Sequence, residues 1–278
     1  MILVDGKKIA NNILDNLKSK TNQKLKLAAI LVGDISNAKK FLEVKQKAAE
    51  RAGIGFEIYE FSENIEQNKL EEEIKKIVDD NNNSGIIIEL PIPSHLETQK
   101  ILNLIPKEKD PDVLSNDAQN EFLKGNYIVL PPAVETIKQI FENYKISLKN
   151  KKVAIFGHGI LVGKPTASWL TKSGAQVQTI DEFTPKKEAA EHSLEADIII
   201  SGVGKSDLIN SEMIKDGAIL IDFGFNPSTN SSGQAKIVGD VSPRALEKAY
   251  LATPVPGGVG PIVVATVFKN LITLNTRR

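Results

Sequence analysis

The sequence contains no cysteine among its 278 residues. This absence excludes disulfide bonds, a thiolate nucleophile and thiolate metal sites, and it fits a reducing compartment. Histidine is nearly as scarce. The three histidines, His95, His158 and His192, are too dispersed to form a metal triad, and no H-E-x-x-H pattern occurs. We therefore expect no metal site.

The chain also lacks an excess of either charge and a long apolar run. Lysine and arginine total 35, and aspartate and glutamate also total 35, so no overall field attracts nucleic acid or an anionic membrane. No apolar run approaches the length of about 18 residues that a membrane-spanning helix needs, and residues 1–6 lack a signal pattern. We expect a cytoplasmic protein with neither a nucleic-acid nor a membrane partner.

Short apolar runs rich in β-formers alternate with helical stretches along the whole chain. This alternation predicts an α/β fold in which helices flank a mostly parallel sheet. The predicted strands are residues 25–32, 55–61, 86–90, 151–157, 177–180, 198–203 and 218–223. The predicted helices are residues 37–51, 64–78, 96–104, 134–144, 166–173 and 262–275.

Two domains are expected from the length and from the second series of strands. The strands from residue 151 onwards have the βαβαβ rhythm of a dinucleotide-binding half, so we place a Rossmann-like domain at residues 133–251. The first α/β domain takes residues 1–132 and 252–278, because we expect the last apolar helix to return to it. Two domains invite a ligand cleft between them.

A glycine-rich turn follows the strand predicted at 151–157. Gly157 permits a tight turn, Gly159 lets the backbone approach a pyrophosphate, and Gly163 precedes the helix, in the spacing G-x-G-x-x-x-G. The N–H groups at the start of that helix favour negative charge. The turn predicts dinucleotide binding; the alternative is a plain strand-to-helix turn.

Asp181 ends the next predicted strand, 24 residues after Gly157. At this place an acidic side chain can accept a hydrogen bond from the ribose 2′-OH and repel a 2′-phosphate, which favours NAD over NADP. The alternative is that Asp181 only caps a turn before Glu182. The sequence leaves both possibilities open.

Several segments occur in the order found in one family. They are Val32-Gly33-Asp34, Lys45-Gln46-Lys47-Ala48, residues 85–93 (G-I-I-I-E-L-P-I-P), residues 105–112 (I-P-K-E-K-D-P-D), residues 157–165 (G-H-G-I-L-V-G-K-P) and residues 253–261 (T-P-V-P-G-G-V-G-P). Together they resemble the bifunctional methylenetetrahydrofolate dehydrogenase/cyclohydrolase family, over essentially the whole chain. The resemblance implies oxidation of methylenetetrahydrofolate with NAD or NADP and hydrolysis of the methenyl product to 10-formyltetrahydrofolate, by a homodimer.

The resemblance also implies roles for individual residues. Lys45 is the proton-handling residue, and Asp112 is the carboxylate that pairs with N–H groups of the pterin. Together with Glu89, which is particular to this sequence and is expected to serve the hydrolysis with Lys45, they are the expected catalytic residues. The other residues expected to bind the folate substrate are Phe41, Pro256, Gly257 and Gly258. The residues expected to bind the dinucleotide are Gly157, His158, Gly159, Val162, Gly163, Lys164, Asp181 and Phe225. The family default is NADP, whereas Asp181 favours NAD.

This sequence departs from the family pattern near the expected catalytic residues. Phe41 replaces a tyrosine, so a hydroxyl that would orient Lys45 is lost, although the ring can still stack on substrate. Glu89 replaces a glutamine and brings a charge that can pair with Lys45. Val113 replaces the glycine after the pterin aspartate, and Val263 replaces a threonine. These changes weaken the expectation of hydrolysis more than that of hydride transfer, because hydrolysis needs proton transfers.

Three alternatives follow from these departures and from the architecture. One is a dehydrogenase whose cyclohydrolase activity has decayed. Another is a non-catalytic protein that binds dinucleotide or folate. The third is a two-domain dehydrogenase of the shikimate or amino-acid type, which shares the architecture but has different polar residues in its first domain.

Overall fold

The structure is a computed structural model. It describes residues 1–19, 24–33, 36–229 and 235–276, with only the backbone for residues 36–40 and 235, so Asp34 lies outside the described residues. The chain forms two compact units. The three-stranded unit comprises Ala10–Pro132 and Val264–Arg278, and the six-stranded unit comprises Met1–Ile9 and Ala133–Val263.

Strands and helices alternate through most of the described chain, which confirms the predicted α/β class. The strands are β1 (Ile2–Leu3), β2 (Lys26–Val32), β3 (Gly55–Phe61), β4 (Gly85–Ile88), β5 (Lys152–Phe156), β6 (Gln176–Ile180), β7 (Ile198–Ser201), β8 (Ile219–Asp222), β9 (Asn226–Thr229), β10 (Ala235–Val238) and β11 (Leu251–Ala252). The helices are α1 (Gly6–Lys18), α2 (Ser36–Ala52), α3 (Gln67–Asp79), α4 (Thr98–Leu102), α5 (Asn116–Lys124), α6 (Pro132–Asn143), α7 (Gly163–Lys172), α8 (Lys186–Glu195), α9 (Pro243–Lys248) and α10 (Val259–Thr276), with a 3₁₀ helix at Lys107–Lys109.

The three-stranded unit is built on a parallel sheet in the order β3-β2-β4. All residues of β2 after the first are buried, because its nearly continuous apolar run K-L-A-A-I-L-V suits a central strand covered on both faces. β3 lies at an edge and mixes exposed with half-buried residues. The carboxyl ends of β2 and β4 are therefore adjacent, and the segments that follow them can bring polar side chains together.

The C-terminal helix α10 packs into the core of the three-stranded unit, as predicted. Phe268 and Leu271 are fully buried with Leu14 of α1 and Leu27 of β2. Gly85 of β4 packs closely against this helix, because a Cβ there would lie 2.4 Å from a methyl carbon of Leu271. By length and composition α10 is apolar enough to cross a membrane, with a mean hydropathy of 1.3, but 61% of it is buried inside the protein.

The six-stranded unit contains a parallel sheet in the order β1-β11-β8-β7-β5-β6. β5 is the first strand of the βαβαβ series; β6 lies on one side of it and β7 on the other. The order of the strands thus reverses at β5, and in folds of this kind ligands bind at the carboxyl ends of the strands beside that reversal. The Rossmann-like arrangement predicted from the sequence is confirmed.

The ends of the chain are distributed differently from the expected domain limits. Ile2 pairs with Leu251, and the amide of Val4 donates to the carbonyl of Ala252 at 2.9 Å. Residues 1–9 and 252–263 consequently pack with the six-stranded unit, whereas the sequence placed them in the first domain. Strands of two residues carry too little pattern to be recognised before their partners are known.

Two further features were not predicted. The stretch around residues 106–132 contains α5, where the Ser115 hydroxyl accepts from the Ala118 amide at 3.4 Å and Gly125 ends the helix with φ +85°. Strands β9 and β10 pair antiparallel beside the main sheet. Both elements are short and mixed in polarity, so their periodicity is weak.

Candidate active site

Lys45 and Glu89 meet at the carboxyl end of the three-stranded sheet. Lys45 lies on α2, which follows β2, and Glu89 directly follows β4, with its amide donating to the Ile30 carbonyl at 2.9 Å. The Lys45 ammonium donates a hydrogen bond to Oε1 of Glu89, and the two side chains are only 13% and 10% exposed. Each charge at this depth needs its partner, because removing one leaves the other buried and unpaired.

The charges of Lys45 and Glu89 act on the carboxyl group of Asp112. Its carboxyl group is half-buried, and burial raises its pKa to about 7; the Lys45 charge opposes this rise, while the Asp110 and Glu89 charges add to it. The pKa of Asp112 is thus perturbed by both members of the ion pair. A carboxyl group that titrates near neutrality beside an ion pair is typical of a functional site.

Asp110 holds the loop that carries Asp112. Its Oδ2 atom accepts hydrogen bonds from the Leu114 amide at 2.9 Å, and from the Ser115 amide and hydroxyl at 2.8 Å each. Val113, which lies between Asp112 and Leu114 in this loop, is buried and has φ +57°. A β-branched residue in this region costs about 1–2 kcal/mol. The Asp110 bonds offset the strain at a position where the family pattern has glycine.

Phe41 lies one helical turn before Lys45 on α2 and is half-buried. Residues four apart on a helix lie on the same face. The ring is therefore on the side of α2 that carries the ammonium group. Phe41, Lys45, Glu89 and Asp112 are the predicted site residues that the three-stranded unit contains.

The glycine-rich turn after β5 has the geometry of a phosphate-binding loop. Gly157 has φ +94°, and a Cβ on Gly163 would lie only 2.0 Å from the Gly157 carbonyl oxygen, so only glycine lets α7 start against the turn. Gly159 has no heavy atom within 4 Å of the place of its missing Cβ. The start of α7 has no side-chain cap. Because Pro165 has no N–H and the Lys164 amide already donates to the Gly159 carbonyl at 3.0 Å, the Gly163 amide is the group at this helix start that can bind an anion. These residues fit a dinucleotide pyrophosphate.

The other expected residues of this turn differ in exposure. His158 and Lys164 are exposed, and Val162 is half-buried. A Cβ on Gly202, which follows β7, would lie 3.0 Å from Cβ of Val162. The turn after β5 is therefore in close contact with the segment after β7.

Asp181 caps the turn that follows β6. Its Oδ1 atom accepts from the amides of Phe183 and Thr184, at 3.0 and 3.1 Å, and from the Thr184 hydroxyl at 3.0 Å. The hydrogen bonds from the Thr184 hydroxyl and the Phe183 amide lower the pKa of this exposed carboxyl. Of the two alternatives from the sequence, the turn-capping geometry is present, and none of these bonds uses Oδ2.

The remaining predicted residues lie in the six-stranded unit. Phe225 is half-buried after β8. Pro256 is exposed, and Gly257 has φ +104° with open space at its missing Cβ. At Gly258 a Cβ would lie 2.6 Å from the Pro254 carbonyl oxygen, so the tight turn itself requires this glycine. Pro256, Gly257 and Gly258 therefore belong to the six-stranded unit, whereas Phe41 and Asp112 belong to the three-stranded unit.

Asp222 and Asp240 are buried carboxylates in the six-stranded unit that sequence reasoning missed. Asp222, at the end of β8, is 2% exposed, and Asp240 is fully buried. Asp222 accepts from the amides of Gly224 at 2.7 Å, Asp240 at 3.1 Å and Val241 at 2.9 Å, and burial raises its pKa. Each of these acidic residues lies at or shortly after the end of a strand and near a glycine, which was the available signal. Within the described residues, no cluster of three or more His, Cys, Asp or Glu side chains is arranged to hold a metal ion.

Comparison with known proteins identifies the family. The catalytic-domain model of tetrahydrofolate dehydrogenase/cyclohydrolase matches residues 4–112, and the NAD(P)-binding-domain model matches residues 131–278. The bifunctional protein FolD of Nautilia profundicola is 38% identical, covering 98% of this chain and 96% of that protein. That of Mycoplasmopsis synoviae is 39% identical, covering 99% of both chains.

Solved structures agree with this result. The bifunctional FolD of Campylobacter jejuni superimposes with a TM-score of 0.91 at 33% identity, covering 100% of both chains. The Trypanosoma brucei enzyme, solved with NADP and an inhibitor, gives 0.94 at 28% identity, covering 100% of this chain and 98% of that one. Shikimate dehydrogenase from Thermus thermophilus gives only 0.57 at 14% identity, which reflects the fold alone. This chain therefore belongs to the tetrahydrofolate dehydrogenase/cyclohydrolase family.

Proposed function

We propose that this protein oxidises 5,10-methylenetetrahydrofolate to 5,10-methenyltetrahydrofolate with a nicotinamide dinucleotide, and hydrolyses the product to 10-formyltetrahydrofolate. The observation that carries the proposal is the buried Lys45–Glu89 pair beside Asp112. All three residues lie within residues 4–112, which match the family's catalytic-domain model.

The oxidation requires little acid–base chemistry from the protein. The dinucleotide, when bound, supplies the acceptor for the hydride that leaves the methylene carbon. Gly157, Gly159 and Gly163 would hold its pyrophosphate at the start of α7. The lone pairs of substrate N5 and N10 stabilise the resulting cation, so the task of the protein is to bind and orient the substrate.

The hydrolysis requires one group that accepts a proton and one that donates a proton. Water adds to the methenyl carbon and transfers a proton to the Glu89 carboxylate. The bond from that carbon to N5 then breaks, its electron pair goes to N5, and N5 takes a proton from the Lys45 ammonium. The second water proton leaves as the formyl group forms, and proton transfer from Glu89 to Lys45 restores the pair. One proton is released overall. A charged lysine can only donate, so the adjacent carboxylate supplies the missing base.

Asp112 is assigned to substrate binding. An ionised carboxylate accepts two parallel N–H donors, which matches the 2-amino and ring N–H groups of a pterin. The Asp110 hydrogen bonds that fix the loop support this role, because they hold the carboxyl group in one place.

We assign the cofactor as NAD rather than NADP. The segment after β6 presents two exposed carboxylates, Asp181 and Glu182, followed by Phe183, which is 85% exposed. Negative charge at this end of a Rossmann-like sheet repels a 2′-phosphate. The turn-capping bonds of Asp181 leave its Oδ2 atom available for a ribose hydroxyl.

A homodimer in the cytoplasm is proposed from the family resemblance, and sedimentation equilibrium of the purified protein tests the dimer.

The departures from the family pattern support a second candidate function. The Lys45 ammonium is paired with Glu89, and Phe41 has no hydroxyl that could orient Lys45. Both differences affect proton transfer, so they support a dehydrogenase whose cyclohydrolase activity has decayed. Absorbance of the protein mixed with methylenetetrahydrofolate and either dinucleotide distinguishes the two, when reduced nicotinamide and the methenyl compound are recorded together. Reduced cofactor without methenyl accumulation is expected. Methenyl accumulation would establish the decayed enzyme, and no signal with either cofactor would indicate a binding protein.

A further inference from the structure

The segment 202–205 borders the place where a dinucleotide binds in this fold. It follows β7, next to β5 at the reversal of strand order. The Gly202 amide donates to the Phe156 carbonyl at 3.2 Å, and a Cβ on Gly157 would lie 3.2 Å from a methyl carbon of Val203. The segment therefore lies against the glycine-rich turn that is proposed to hold the pyrophosphate.

Asp240, from a distant part of the chain, holds this segment by its amides. Oδ2 accepts from Val203 N at 2.9 Å and Gly204 N at 3.2 Å, and Oδ1 accepts from Lys205 N at 2.8 Å. The carboxylate also accepts from the Ser201 hydroxyl at 2.7 Å and from the Asn226 amide group at 3.1 Å. Three consecutive N–H groups converging on one anion fix the local backbone.

The anchored amides set the direction of the carbonyl groups. In a trans peptide the N–H of one residue and the C=O of the preceding residue point in opposite directions. With the Val203 N–H on Asp240, the Gly202 carbonyl points away from the carboxylate. Its oxygen lies 3.5 Å from the position of a Cβ on Gly157, so it faces the glycine-rich turn. The peptide group thus connects Asp240 with the border of the dinucleotide site.

Glycine backbone packs closely against Asp240 and its neighbour Asp222. A Cβ on Gly224 would lie 2.3 Å from Oδ1 of Asp240, and a Cβ on Gly239 would lie 2.0 Å from Oδ2 of Asp222. The two residues are also connected, because the backbone amide of Asp240 donates a hydrogen bond to the carboxylate of Asp222 at 3.1 Å. Close packing of this kind holds an anchor in one position.

We propose that Asp240 is a positioning residue for dinucleotide binding: it orients the peptide groups of residues 202–205 so that they form one wall of the dinucleotide site. The proposal rests on the proposed dehydrogenase function. Asp240 itself does not touch the cofactor. It acts through the backbone that it holds, so its loss should weaken cofactor binding while hydrolysis of the methenyl compound continues.

The test is Asp240→Asn, which keeps the shape but places an NH₂ group against backbone donors. Calorimetric titration with NAD and with NADP should give a dissociation constant raised about tenfold or more for the cofactor that the wild type binds. Without any cofactor, hydrogen exchange at the amides of residues 203–205 should accelerate by a similar factor. Cyclohydrolase activity should stay within about twofold of the wild type. Ser242→Ala removes the cap of α9 in the same unit and serves as the control for general destabilisation.

Ser201→Ala provides a milder test that keeps the loop donors and removes only one partner of Oδ2. We expect a dissociation constant raised about two- to fivefold, and this variant decides the matter if Asp240→Asn does not fold. Unchanged cofactor affinity in the folded variants, or an equal loss in Ser242→Ala, overturns the role of Asp240. A wild-type protein that binds neither NAD nor NADP overturns the proposed dehydrogenase function, and this inference with it.

Discussion

The affinity of the protein for folate should depend on pH through Asp112. Burial raises the pKa of this carboxyl to about 7, and only its ionised form can accept both pterin N–H groups. A carboxyl with that pKa is roughly one-tenth ionised at about pH 6 and roughly nine-tenths ionised at about pH 8. Apparent affinity is reduced by the fraction of competent protein, so the dissociation constant should rise about tenfold between about pH 8 and about pH 6.

The stability of the free protein should change in the opposite direction. Between the ordinary value of 3.8 and about 7, the folded state keeps a proton on Asp112 that the unfolded state has lost. The contribution of Asp112 to the free energy of unfolding therefore falls as pH rises through this window. Folate binding improves over the upper part of the same window, because a growing fraction of Asp112 is ionised and can accept the pterin N–H groups.

The assay is calorimetric titration with tetrahydrofolate between about pH 5.5 and pH 8.5, under conditions that prevent oxidation. Asp112→Asn should bind weakly and lose the pH dependence. Asp181→Asn, which removes a carboxyl in the other unit, should keep it. A flat wild-type dissociation constant across this range, or an Asp112→Asn variant with the same slope, would refute the assignment of the titration to Asp112.

The other predicted site residues give four further predictions. Lys45→Met should lower cyclohydrolase activity by about two orders of magnitude or more while much of the dehydrogenase rate remains, and an unchanged hydrolysis rate would remove Lys45 from the mechanism. Glu89→Gln, which replaces the carboxylate with an amide of equal size, should also slow hydrolysis, because it removes the proposed base. Faster hydrolysis in this variant would show instead that the ion pair inhibits Lys45. Asp181→Ser should raise the use of NADP relative to NAD in steady-state assays, and an unchanged ratio would leave Asp181 as a turn cap only. Gly163→Ala should abolish dinucleotide binding, because its Cβ would lie 2.0 Å from the Gly157 carbonyl oxygen, and normal titration with either cofactor would contradict this reading of the turn.

Local patterns were sufficient for much of the fold. The apolar run of β2 and the runs of β5 and β7 identify buried parallel strands, because continuous apolar sequence suits a strand covered on both faces. The glycine-rich turn could also be predicted, because glycine tolerates the positive φ of Gly157 and the close backbone contact at Gly163. Short elements such as β1 and α5 were missed because their formation depends on a partner strand or a cap rather than on periodicity.

The sequence by itself determined the α/β class, the glycine-rich turn and the family, because these depend on residue order and on local backbone geometry. Only the tertiary structure decided the electrostatics of the site. Lys45 and Glu89 are 44 residues apart, and whether they pair depends on how α2 and the end of β4 pack. The raised pKa of Asp112 and the five donors of Asp240 likewise follow from burial and from contacts between distant segments. Such properties arise only when folding removes water from a charge and brings its partners to it.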